Sequence, residues 1–431
     1  MWQTIKNAFG DKSIRNKIFF TLAILLVYRI GCYIPVPGLD FAAVSAAING
    51  DGGNTLLQVI NVVTGGSLGN GTLFALGILP FINSFIIMQL LTLIIPPLER
   101  LSKEGEEGRA KVTQITRYVA ILLGIVQGIG IVVTYHNSGA IEPTLGSEAV
   151  SGAIIIVLMT AGSTLVMWLS ERITEKGIGN GSSMIIFIGI ISSFATSLIG
   201  AFSTLGQEPN NIWYILGYLL VVVVLFLFIV FIDGAERRIK VNYAKQVKGN
   251  KMYGGQSTYI PMKVNGSGVM PIIFASAFMV FPQMILSFVP QDNGVVTFYL
   301  QYLGPGTPVY YIVMFLLIIF FAYFYAQIQF NPVDVARNLQ QYGGVIQGVR
   351  SGKPTSEYLA KINHRITLFG ALFLSIVAIV PTFLFNLLGS PIGMTNAFSA
   401  TGMLIIVSVA LELDKQLESQ IMMRHYKGFL K

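Results

Sequence analysis

The sequence predicts an all-α membrane protein with ten spanning helices, and three observations carry that prediction. The 431-residue chain is 53% apolar and only 11% charged, with a mean hydropathy of +0.68, a composition outside the soluble range and typical of multi-spanning proteins. Its Lys and Arg residues gather in six blocks, and the five stretches between them, 30–99, 119–171, 177–236, 264–336 and 366–414, contain none. Each stretch accommodates two helices of about 20 residues with a turn between them, the length that crosses a hydrocarbon core about 30 Å thick. Basic residues are retained inside, so every block is expected in the cytoplasm, every basic-free turn outside, and both termini cytoplasmic.

In chain order, hydropathy predicts helices at 18–36, 72–95, 117–136, 152–170, 182–201, 212–232, 269–289, 309–330, 366–388 and 397–413. The first follows Lys12, Arg15 and Lys17 as a signal peptide would, but its apolar run continues through Gly31 to Val36 and reaches spanning length, as an uncleaved helix does. Arg29 falls inside it and is expected to snorkel to the outer surface, a helix-packing or gating contact being the alternative. Between the first two spans, Thr55, Gln58, Asn61 and Thr64 recur at spacing three among Leu56, Leu57, Val59, Ile60, Val62 and Val63, the pattern of a short amphipathic helix. At ~15 Å it reaches half a bilayer, and Gly65, Gly66, Gly69 and Gly71 then free the backbone for a break. Such a segment is either an external amphipathic loop or a re-entrant element in a central cavity.

Gly124 and Gly128, four residues apart, predict a close helix approach. Pro80, Pro271 and Pro282 are expected to ease bending of their helices. Turns near 137–151, 202–211, 290–308 and 389–396 are rich in Gly, Pro, Ser and Asn. The loops at 233–268 and 331–365 carry seven and five basic residues. In the first, alternation over Arg238–Tyr243 and Thr258–Ile260, around Lys248-Gly249-Asn250, predicts a hairpin projecting from the membrane. Its cations, interleaved with Tyr243, Tyr253 and Tyr259, suit RNA contacts and lipid headgroups alike. The net charge of +8 makes this face attractive to anionic lipid, nucleic acid or acidic protein. Two sets of five spans permit an inverted repeat, with halves at 1–201 and 202–431.

The chemistry that is missing narrows the function. One cysteine, Cys32, and three scattered histidines, His136, His364 and His425, provide neither an intramolecular disulfide nor metal-ligand spacing, and no cofactor is expected. Gly352-Lys353 fails as a phosphate loop, with Gln347 at the first glycine position and Pro354 at the hydroxyl position. Gly177–Gly181 joins two membrane helices, where a dinucleotide fingerprint needs a strand and a helix. Few carboxylates or histidines lie inside the spans, which disfavours an ion-coupled carrier, and no acid, base or metal set suggests a membrane-embedded enzyme. Energy is expected to come from a partner or a gradient.

Phe74–Pro80 with Gln89–Thr92, Lys103–Glu106 through Gly108-Arg109, Gly177–Gly181, Arg237-Arg238 with Asn242–Lys245, Gln256–Thr258, and Pro271 with Phe274–Ser276 occur in an order that resembles the bacterial SecY family (SecY/Sec61-alpha), the central subunit of the Sec protein-conducting channel. The resemblance covers essentially the whole chain. It implies two pseudo-symmetric five-helix halves clamping an hourglass pore. It further implies a plug helix at 54–68, containing Asn54, Leu57, Ile60, Val63, Gly65 and Gly66, that moves aside when a polypeptide enters. The implied constriction consists of Ile82 and Ile86 of the second span, Ile186 and Ile190 of the fifth, Ile273 of the seventh and Ile405 of the tenth. Physically, a ring of branched apolar side chains seals around a passing chain and disfavours water and ions by dewetting.

The same resemblance implies a lateral gate between the second and third spans on one side and the seventh and eighth on the other, through which hydrophobic segments partition into lipid. Its implied partners are SecE and SecG subunits, the SecA motor ATPase, the ribosome with its RNA and proteins, polypeptides bearing signal sequences, and anionic lipids. Arg237, Arg238, Lys240, Lys245, Lys248, Lys251 and Arg350 would be the docking residues. Arg350 matches a functional arginine of the family, although Ser351 stands where many relatives have proline. The implied function is a passive, gated, non-enzymatic channel in the bacterial plasma membrane, driven by SecA, the ribosome or the proton-motive force. A secondary transporter of a small solute is the alternative.

Overall fold

The computed structural model describes residues 9–49, 60–143, 147–204, 211–243, 246–248, 251–253, 257–286, 293–304, 307–387 and 400–428. α1 (Lys12–Gly31) precedes a short α2 (Phe41–Asn49), and α3 (Leu79–Ile94) is followed by α4 (Pro96–Lys103). Next come α5 (Glu106–Asn137), α6 (Glu148–Lys176), α7 (Gly181–Thr204) and α8 (Asn211–Asp233). The first long basic loop holds β1 (Glu236–Tyr243), β2 (Gln246–Lys248), β3 (Lys251–Tyr253) and β4 (Ser257–Lys263). After α9 (Met270–Leu286), α10 (Gly294–Leu303) and α11 (Pro308–Gln329), the second basic loop holds α12 (Pro332–Gln341) and β5 (Gly344–Ile346), and α13 (Lys353–Leu387) and α14 (Ala400–Gly428) follow.

α1, α3, α5 to α9, α11, α13 and α14 lie on the ten expected spans. Among the described residues, four helical stretches are long and apolar enough to cross a bilayer by themselves, five if the bent pair α3–α4, which turns through 103°, counts as one. The chain is a multi-pass membrane protein. Its helix starts follow local chemistry: the Asp11 carboxylate accepts from the Ser13 amide at 2.8 Å to cap α1, and the Thr307 hydroxyl accepts from the Tyr310 amide at 3.2 Å to cap α11, with Pro308 in the first turn.

Gly124 and Gly128 sit where expected of a close contact: a Cβ on either would lie 3.4 Å from a methyl of α6, on Thr160 and Ile156 respectively. The Gly177–Gly181 motif is a tight turn between α6 and α7. Gly179 adopts a left-handed φ of +86°, and a Cβ on Gly181 would strike the Ser170 carbonyl, so only glycine lets these helices turn so sharply. The Ile178 amide donates to the Thr21 hydroxyl of α1 at 3.1 Å, which anchors the turn.

Four expectations need correction. The second helix begins at Leu79, not near 72, because Gly71 and Gly77 take left-handed φ values of +55° and +53° and residues 64–78 fold as successive turns. Those turns are tied to the end of α1, with the Leu73 amide on the Ile34 carbonyl at 2.9 Å and the Val36 amide on the Gly71 carbonyl at 3.1 Å. Irregular backbone at membrane depth is thus buried in protein. Pro80 lies in the first turn of α3 and Pro271 is the second residue of α9, so only Pro282 interrupts a helix interior. The turn at 290–308 contains α10, capped by the Asn293 side chain, which accepts from the Val295 amide at 3.1 Å. Arg29 turns inward, as described below.

The hairpin of the first basic loop is present: β1 pairs antiparallel with β4 from Glu236↔Lys263 to Asn242↔Ser257, and β2 pairs with β3. The second basic loop joins it, because β5 pairs with β1 from Val241↔Ile346 to Tyr243↔Gly344, which gives a three-stranded sheet in the order β4-β1-β5. Ile239, Val241, Met262 and Ile346 cover a small core with Leu339, Leu359 and Ile362, while Arg238, Lys240 and Asn242 alternate outward along β1. The main core runs through the centre of the helices. Among the described residues, those up to 204 and those from 211 on meet where α9 touches α3 and α5, where α14 packs on α7, and where Leu413, Leu417 and Ile421 of α14 pack with Ile14 of α1.

Candidate functional site

Six isoleucines far apart in sequence converge at the centre of the molecule. Ile82 and Ile86 on α3, Ile186 and Ile190 on α7, and Ile405 on α14 are all buried members of one apolar cluster, against which Ile273 of α9 packs. Each pair is spaced by four residues and therefore faces one way from its helix. Four helices thus contribute branched side chains to one apolar cluster.

On the side of this cluster where the basic blocks lie, a cavity of about 550 Å³ opens. Ile82, Ile186 and Ile273 form part of its wall with Phe81, Phe85, Val269, Met270 and Leu411, and polar and charged groups complete it: Thr113, Ser182, Asn265, Ser408 and charged side chains from both parts of the chain. Arg117 of α5 holds Glu171 of α6 at 2.7 Å. Opposite, Asp233 at the end of α8 accepts from the Asn265 amide at 2.7 Å, and Lys263, Glu412 and Lys415 complete that wall. Burial, with Lys415 close by, pushes the Lys263 pKa down, while Asp233 and Glu412 partly offset this. The lining mixes both signs and binds no single charge strongly.

On the other side of the cluster the chain closes up. Ile60–Val63 are helical, and turns continue to Gly71. Val63 packs against the isoleucine cluster, and Ile60 against a second core that includes Val44, Ile48 and Tyr135. The backbone of this segment abuts α7: the Ser193 hydroxyl donates to the Val62 carbonyl at 2.9 Å, and a Cβ on Gly189 would lie 2.6 Å from the Val63 carbonyl oxygen. Gly65 and Gly66 adopt left-handed φ values of +70° and +88°, which suits glycine. The Gly69 amide donates to the Asn61 side chain at 2.7 Å, and the Tyr135 hydroxyl of α5 donates to the Leu68 carbonyl at 2.9 Å. Arg29 belongs to this floor. Its Nη1 donates to the Gly65 carbonyl at 3.3 Å and its Nη2 to the Ser192 hydroxyl of α7 at 2.5 Å. Arg29 is half-buried and spends these donors on neighbouring oxygens, where snorkelling to the outer surface was expected.

Asn54 and Leu57 lie outside the described residues, as does Lys245. Arg237, Arg238 and Lys240 are exposed on β1, with Arg238 paired to Glu236 at 2.7 Å. Lys248 and Lys251 are register partners in the β2–β3 pair. Arg350 is exposed in the loop after β5, where its carbonyl accepts from the Thr355 hydroxyl at 2.7 Å. Sequence reasoning missed Gly189, Ser192 and Ser193, although small residues at spacings of three and four on one helix face are a known signal of close packing. The charged walls of the cavity were missed because their members lie in five separate segments.

The chain matches the SecY family over residues 72–413. It is 43% identical over 445 residues to the protein translocase subunit SecY of Streptomyces galbus, covering all of both chains. It is 40% identical over 443 residues to the subunit of the same name from Corynebacterium glutamicum, covering 99% of each. Among solved structures, a protein-conducting channel superimposes with a TM-score of 0.67 at 22% identity, covering 94% of this chain and 91% of the other. Sec61 in a canine ribosome–channel complex superimposes with a TM-score of 0.64 at 20% identity, over 94% and 91%.

Proposed function

The chain belongs to the SecY family, and we propose that it forms the channel through which unfolded secretory polypeptides cross the bacterial plasma membrane. The observation that carries this reading is the sandwich at the centre: a cavity of about 550 Å³ with charged groups among apolar side chains, an isoleucine cluster drawn from four helices, and a glycine-rich segment closing the far side. In this reading residues 1–201 and 202–431 are the two halves of the clamp, and both termini are cytoplasmic. A chain enters from the basic face, passes the ring of Ile82, Ile86, Ile186, Ile190, Ile273 and Ile405, and displaces the plug around 54–68. Apolar side chains grip any sequence weakly and exclude water beside it, so the ring seals without selecting.

Hydrophobic segments leave sideways between α3 and α5 on one side and α9 and α11 on the other, where the contact of α9 with α3 and α5 closes the gate. The chain itself is a conduit, and its energy comes from the SecA ATPase, the ribosome or the proton-motive force. The sheet β4-β1-β5, which sets Arg237, Arg238 and Lys240 beside the Arg350 loop, serves as the docking surface for the motor and for ribosomal RNA, with anionic lipid around it; SecE and SecG are the companion subunits. A secretory chain stalled in transit, bearing a photocrosslinker, is expected to label Ile86 and Ile190. Labelling confined to lipid-facing positions such as Leu220 would overturn the pore assignment.

A further inference from the structure

We infer that Arg29 is a positioning residue that couples the plug to α7, an inference that rests on the channel reading above. Its guanidinium stands where three elements meet. One arm donates to the Gly65 carbonyl at 3.3 Å, and the other to the Ser192 hydroxyl at 2.5 Å and to the Tyr33 hydroxyl at 3.3 Å. The Tyr33 ring lies 5.5 Å from the guanidinium carbon. The site is shaped for this contact, because a Cβ on Gly65 would lie 2.6 Å from Nη1 and 3.0 Å from Gly189 Cα. Among the described residues the partners of this cation are neutral.

A planar, permanently charged fork can hold two acceptors in fixed geometry, which a lysine ammonium cannot. One arm holds the plug and the other holds α7, the helix that carries Ile186 and Ile190. α1 and α7 lie in the same half of the clamp, so the fork holds the Gly65 turn against a fixed pair of helices, and the plug cannot leave without breaking the bond to Gly65. Arg29 therefore latches the plug in the resting channel.

The test uses the full-length chain in its membrane. Arg29→Gln, Arg29→Lys and Ser192→Ala are compared for resting conductance in planar bilayers and for labelling of Val63→Cys by a membrane-impermeant maleimide, with the unmodified chain as blank for Cys32. Arg29→Gln and Arg29→Lys are expected to raise both readouts about tenfold, the factor a single hydrogen bond to a charged group supplies, and Ser192→Ala to raise them less. Wild-type behaviour of Arg29→Lys would show that charge alone suffices and overturn the bridge. If Arg29→Gln fails to accumulate, Ser192→Ala decides, since it removes only a hydroxyl; no change there overturns the coupling. A combined Ile86→Gly, Ile190→Gly variant serves as reference. If it leaks while the Arg29 variants stay closed, the coupling fails and the channel stands. If it too stays closed, the channel reading itself fails.

Discussion

The two sides of the isoleucine cluster are built from opposite materials. The basic-end side is an open cavity walled by side chains of both charge signs, including Arg117 with Glu171 and Asp233 with Asn265. The far side is closed by backbone, with carbonyls of Val62, Gly65 and Leu68 held by Ser193, Arg29 and Tyr135. Charged walls stay hydrated and repay little when a passing chain displaces water. Backbone contacts made through glycine are close but few, each net hydrogen bond being worth roughly 1 kcal/mol. An entrance kept wet and an exit held by a handful of such bonds suit a conduit that stays shut at rest and opens under a modest push.

The largest effect should come from removing what both sides share. Replacing Ile82, Ile86, Ile186 and Ile190 together by serine is expected to change a sealed channel into a continuously conducting one, since each large-to-small change in a packed centre forfeits about 2–4 kcal/mol. Single-channel recording in planar bilayers measures it, and an unchanged resting current would dissolve the distinction between the sides.

A strong but smaller effect is expected at the far side alone. Gly189→Val puts a side chain against the Val63 carbonyl, where even a Cβ would lie 2.6 Å away. The overpacking costs about 1–3 kcal/mol and should push the 60–71 segment from α7. The predicted signature is a partial leak with little loss of export, whereas loss of export without leak would place the fault elsewhere.

Beyond the entrance, Arg350→Glu leaves both sides of the cluster intact. Several-fold slower motor-driven export is expected, with ribosome-coupled insertion reduced less and no added leak. Equal losses in the two transport assays would refute a division of labour on the docking sheet.

The smallest effect concerns the entrance wall. Burial and Lys415 depress the Lys263 pKa in the folded protein below its ordinary 10.5, so between the folded value and 10.5 the unfolded chain binds more protons, and stability rises with pH across that window. Lys263→Met should flatten this alkaline rise in a thermal melt of the protein in detergent. An identical pH dependence in the variant would mean that Lys263 is not strained by its neighbours.

Much of this was legible in the chain because it is encoded locally. Hydropathy placed the ten apolar stretches on which long helices lie, since a bilayer demands contiguous apolar runs, and the alternation of Arg238–Tyr243 foretold β1. The end of the second span was misjudged because Gly71 and Gly77 break an apolar run whose hydropathy does not change. Asn293, an N-cap before an apolar decade, could have revealed α10. The six isoleucines were placed by family resemblance, as nothing in their spacing separates them from other buried isoleucines of these helices.

The sequence by itself located the apolar stretches on which the long helices lie and set the basic and basic-free segments apart, because hydropathy and charge act residue by residue along the chain. Only the tertiary structure decided that β5 pairs with β1, that isoleucines of α3, α7, α9 and α14 meet in one apolar cluster, and that Arg29 donates to Gly65 and Ser192. Those outcomes depend on which faces meet across tens to hundreds of residues of chain, and a helix does not record in its own sequence what will pack against it.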